Sequence, residues 1–248
     1  MKWLRLVRAE LRKLGTTKMP WVFVAVLVVI SAITATAVLI GTDADGSKAF
    51  IATRQDQRSL LAFGANAMMG AGLFGAIAVA REYAHGTVVP MFLTSPRRGR
   101  AMSAQLVALF VVGGLLGVVG AALTIVAGAV SIVMIDRAFL LTAGDVIRIV
   151  AASSLAAAFG AILGGGAGAL VRNTGGAVTV AVLLLIIAPP LVVQLATDAA
   201  TWVPSTVVNV VSGVGTETSL AAALVALALW GLVPAAIGVG AVQRRDVI

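Results

Sequence analysis

The chain has 248 residues, of which 60% are hydrophobic and only 11% charged, and its formal net charge is +8. Soluble domains carry about 25% charged residues, so this composition cannot supply a water-soluble surface. With no cysteine and a single histidine, His85, the chain lacks disulfide and thiolate chemistry and the ligands of an ordinary zinc site.

In residues 1–18, Leu4, Val7, Leu11 and Leu14 recur at spacings of three and four and share one helical face, with Arg5, Arg8, Arg12 and Lys13 off that stripe. The pattern predicts an amphipathic helix lying in the membrane interface and ending near Gly15. A simple basic anchor fits the segment equally well. The first span is predicted over residues 21–40, after Pro20, and five more follow over 59–80, 106–135, 149–171, 177–196 and 220–242. Each is an uncharged run matching a hydrocarbon thickness of about 30 Å at 1.5 Å per residue. The third is long enough that it must tilt or project. Ala35 and Ala37 also form an A-x-A pattern, but the apolar run continues to Ile40 and the basic segment before it is longer than a usual signal-peptide n-region.

Orientation follows from the bases. Lys2, Arg5, Arg8, Arg12, Lys13, Lys18, Arg81, Arg97, Arg98, Arg100, Arg172, Arg244 and Arg245 fall on one side, thirteen in all. Lys48, Arg54, Arg58, Arg137 and Arg148, five in all, fall on the other with seven of the ten acids. Basic loops stay inside, which predicts a multi-pass protein with both termini in the cytoplasm. The same bases serve anionic membrane lipids, and no nucleic-acid partner is expected.

No ionisable residue falls within the six spans as drawn, which argues against a proton-driven carrier. Asn66 and its neighbour Met68 are the candidate pathway residues, although a polar side chain in a span more often bonds to a neighbouring helix. Gly160, Gly164 and Gly168, with Gly113 and Gly117, form small-xxx-small faces suited to close helix packing. Pro189 and Pro190 predict a kink in the fifth span. Residues 197–219 contain Trp202, Pro204 and the apolar run 207–211. They suit a re-entrant or interfacial element, or else a short outer loop.

The loop after the second span reads Arg81-Glu82-Tyr83-Ala84-His85-Gly86-Thr87-Val88, then Leu93-Thr94-Ser95-Pro96-Arg97-Arg98. It resembles the permease subunits of type-2 ABC exporters, in which E-x-x-x-G-T leads into L-x-x-P-x-R in the coupling region that docks on the ATPase. Glu82, Gly86 and Thr87 match the first part; Leu93, Pro96 and Arg98 match the second. Pro90 departs from the helical expectation, because it biases the preceding residue away from αR.

The resemblance implies an all-α polytopic fold: an amphipathic helix, six spans, a re-entrant outer segment before the last, and a 244–247 tail. It also implies a bacterial plasma-membrane location and export of a hydrophobic or amphipathic substrate such as a drug, peptide or lipid. The expected partners are two copies of a separate ABC ATPase, which would carry ATP and Mg, and a second permease copy, identical or homologous. No G-x-x-x-x-G-K-[ST] phosphate loop occurs in this chain. Arg81, Glu82, Tyr83, His85, Gly86, Thr87, Pro96, Arg97 and Arg98 are then the ATPase-coupling residues, with Arg81, Glu82, Tyr83 and His85 expected as surface contacts. No nucleophile or metal set accompanies Glu82 and His85, so catalysis by this chain is not expected. An ATP-independent carrier or channel and a non-transporting scaffold are the alternative readings.

Overall fold

The computed structural model describes residues 2–43, 46–87 and 97–244. The chain runs through α1 (Lys2–Thr16), α2 (Met19–Ile40), α3 (Arg54–Ala65), α4 (Met68–Ala84), α5 (Arg98–Met134), α6 (Ala143–Val171), α7 (Thr174–Leu195), α8 (Thr197–Ala200), α9 (Pro204–Ser212) and α10 (Leu220–Arg244). A 3₁₀ turn, Ala49–Ile51, precedes α3. The described residues contain no strand, and α2, the bent rod α3–α4, α5, α6, α7 and α10 are each long and apolar enough to cross a membrane. The protein is an all-α polytopic membrane protein.

Two of these helices start at a capping box. Thr53 Oγ1 accepts from the Asp56 amide at 3.2 Å while the Asp56 carboxylate accepts from the Thr53 amide at 2.9 Å, a capping box that sets α3 going. Thr142 and Asp145 repeat the device at α6. Capping of this kind satisfies amides that no helical carbonyl can reach. The 37 residues of α5 extend about 56 Å at 1.5 Å per residue, well beyond a hydrocarbon core of about 30 Å. Its first turns therefore project at one face, where Trp3 of α1 donates to Ser103 Oγ at 3.3 Å. Gln243, near the end of α10, lies against Gly99 there, so the start of α1 and the end of α10 share this terminal face.

Helix α6 is the centre of the bundle, packed against α4, α5, α7 and α10. Its contact with α4 is backbone to backbone. A Cβ placed on Gly164 would collide with the Gly72 carbonyl, and one on Gly75 with the Ala161 carbonyl. On the α5 side, Gly113 and Gly117 meet Ala157 and Ser153 in the same way. The small-residue faces are therefore used inside this chain.

The second span is not one continuous helix. It breaks at Asn66–Ala67, where Asn66 leaves helical geometry (φ −69°, ψ 92°) and its Oδ1 accepts from the Met68 amide at 3.2 Å. Carbonyls freed by the break find hydroxyls: Ser153 donates to Ala65, and Thr124 donates to Gly64 at 3.3 Å. In α7 the two prolines remove amide donors, and the turn before them, Leu183–Ile187, widens into a π-turn in which the Ala188 amide reaches back to Leu183. The irregularity at the prolines thus takes the form of a π-turn that ends at Ile187, two residues before Pro189.

Between α7 and α10, α9 buries Val207, Val208, Val210 and Val211 against α6 and α10. Arg148 of α6 caps its far end by donating to the carbonyls of Val210 and Val211, both at 3.0 Å. Gly213 follows at φ 80°, and a Cβ there would lie 2.6 Å from the Arg148 guanidinium carbon. Beside it, Arg54 Nε and Arg58 pair with the buried Asp145 at 2.7 and 3.4 Å.

Candidate functional site at the terminal face

Helix α4 runs on through Arg81, Glu82 and Tyr83, so these three side chains point in three directions about 100° apart. Arg81 points outward and is exposed. Glu82 points inward and is only 6% exposed. It pairs with Lys13 of α1 and takes a hydrogen bond from Gln105 of α5, itself 2% exposed. Tyr83, half-buried, places its ring under the Arg172 guanidinium, 5.4 Å from centroid to carbon. The expectation that Glu82 is a surface contact is therefore corrected: a carboxylate on this face of α4 meets α1 and α5, and burial is offset by an ammonium and an amide donor.

Lys13 joins two carboxylates, reaching Glu10 at 2.8 Å as well as Glu82. Its burial alone would lower the ammonium's pKa, but the Glu82 charge and the hydrogen bonds to Glu10 and Glu82 outweigh it and raise the pKa. The cation is thus held charged, and α1 is fastened to the end of α4 rather than only resting on it. The hydrophobic side of α1 contributes too, with Leu14 buried in the main core beside Leu11, while Leu4 stays 66% exposed.

Past Ala84 the helix ends in an exposed turn. His85 Nδ1 sits 2.9 Å from the Arg81 carbonyl, and Gly86 adopts φ 68°, with its amide donating to the Tyr83 carbonyl at 3.3 Å. That left-handed conformation suits glycine and closes the helix. Thr87 Oγ1 returns to the Glu82 carbonyl at 3.4 Å. Residues 88–96, which include Val88, Pro90, Leu93, Ser95 and Pro96, lie outside the described residues, as do Arg245, Asp246 and Val247. The chain resumes at Arg97. Arg97, Arg98 and Arg100 line a basic cleft of about 470 Å³ with Gln243.

The candidate pathway pair lies elsewhere. Asn66 caps the break in the second span, and Met68, 2% exposed, packs on Gly160. Neither joins the terminal-face group. Lys13, Glu10, Gln105 and Arg172 were not foreseen as partners of the loop. The i,i+3 spacing of Glu10 and Lys13 was the one available signal. No family model and no curated protein matches the chain.

Proposed function

We propose that this chain is the membrane-spanning permease subunit of an ATP-driven exporter of the type-2 ABC class. It moves a hydrophobic or amphipathic substrate, such as a drug, peptide or lipid, using a separate ATPase subunit. One observation carries the reading: the Glu82-x-x-x-Gly86-Thr87 motif forms an exposed turn whose root is braced by Lys13 and by Arg172. Such a turn gives a partner a stiff handle, and the close contact of α4 with α6 supplies a route by which its displacement reaches the bundle. The working unit in this reading is two permease copies and two ATPases in a bacterial plasma membrane, with the terminal face in the cytoplasm. ATP and Mg are bound by the ATPases.

The experiment is purification of the tagged chain from its native membrane, followed by reconstitution with whatever ATPase accompanies it. The reading expects a phosphate-loop protein in equal copy number and ATP hydrolysis stimulated by lipophilic substrates. A chain that transports alone, without nucleotide, would refute it.

A further inference from the structure

Between α1 and the end of α4 lies a cleft of about 520 Å³, within the ordinary range of ligand sites. Its lining is mixed: Leu6, Leu14, Met19 and Ala78 supply apolar surface, and Glu10, Lys13, Arg81 and Glu82 stand among them, with His85 and Thr87 where α4 ends. Because α1 is amphipathic and precedes the first span directly, this combination of apolar and charged lining suits a membrane boundary, where acyl chains and headgroups meet.

The charges select further. Glu82 is buried and served by Lys13 and Gln105. Glu10 shares that same ammonium and keeps acceptor capacity, because one lysine serves two carboxylates. Arg81 makes no ion pair among the described residues and is exposed at the rim. The charges of Glu10 and Glu82 balance those of Lys13 and Arg81 in the lining. A purely anionic ligand would leave the spare acceptor capacity of Glu10 unused and a purely cationic one would leave Arg81 unmatched, whereas a zwitterion matches both.

We propose that this cleft is a specific site for a zwitterionic phospholipid with a primary-ammonium headgroup: acyl chain against the apolar lining, phosphate at Arg81, ammonium donating to Glu10. A quaternary ammonium has no N–H to donate and fits worse. The inference depends on the membrane location of the chain and not on an ATPase partner.

The test is native mass measurement of lipid retained by the full chain after extraction from nanodiscs holding equal amounts of phosphatidylethanolamine, phosphatidylcholine and phosphatidylglycerol. The ethanolamine lipid should be retained about tenfold over the choline lipid, the ratio one charge-assisted hydrogen bond supplies. Glu10→Gln, at a half-buried position that tolerates a neutral amide, should remove that preference. Arg81→Gln should lower retention of all three lipids. Equal retention of the ethanolamine and choline lipids, preference for phosphatidylglycerol, or a preference that survives Glu10→Gln would overturn the proposal. Displacement of the lipid by soluble phosphoethanolamine would overturn the acyl-chain part of it.

Discussion

Removing Lys13 should cost more than removing the charge it serves. In Lys13→Ala, Glu82 keeps its buried position and loses its ammonium, retaining only the Gln105 donor. Truncating one partner of a buried pair costs about 3–5 kcal/mol, because the other charge is left without compensation. Lys13 has a side chain 45% exposed, so water offsets part of this and the expected loss is about 2 kcal/mol. Glu82→Gln keeps the volume, removes the desolvated charge and leaves Lys13 with Glu10, so its cost is about 1 kcal/mol or less. The double variant should recover most of the Lys13→Ala loss. Unfolding by dodecyl sulfate in mixed micelles, followed by the fluorescence of the four tryptophans, measures all three. If Glu82→Gln destabilises as much as Lys13→Ala, or if the double variant shows the sum of the two, the pair does not brace α1 to α4.

Three further outcomes are expected. Gly75→Ala should destabilise by about 1–3 kcal/mol, because its Cβ meets the Ala161 backbone, which cannot move without parting α4 from α6. Gly70→Ala on the same helix has open space and should be neutral or stabilising by up to about 1 kcal/mol, so thermal melts of the two variants check the packing internally. Arg148→Ala should free the end of α9, seen as faster proteolysis between α9 and α10, and Gly213→Ala should do the same through strain at φ 80°. For topology, cysteines introduced at Ser47 and Thr216 should react with an impermeant maleimide from outside intact cells and one at Ser95 should not; labelling of position 95 would reverse the orientation.

The six apolar runs were readable because a span excludes charge over its whole length, a constraint that leaves a direct mark on sequence. Where the helices begin was less readable. Arg54, Gln55, Asp56 and Gln57 are polar, yet α3 starts there, because Thr53 and Asp56 cap it beyond the apolar run. The T-x-x-D spacing at 53–56 and again at 142–145 was a usable signal for these starts. The break at Asn66 follows from tertiary hydroxyls, Ser153 and Thr124, that take up the freed carbonyls, and nothing local to Asn66 announces them. Glu82 was read as a contact on the surface because its partner Lys13 lies 69 residues away and its other donor is on α5. Gly86, by contrast, needed only its own residue type to suggest the turn it makes.

The proposed grip of a separate ATPase on the turn after α4 can be probed by placing a photoreactive amino acid at Thr87 or Arg97, both exposed, in cells expressing the chain with its native neighbours. Irradiation followed by mass spectrometry of the adducts identifies what stands against those positions. One predominant protein adduct carrying a G-x-x-x-x-G-K-[ST] loop is expected, reduced when Gly86→Val distorts the turn. Adducts only with lipid, or with a second copy of this chain and no ATPase, would contradict it.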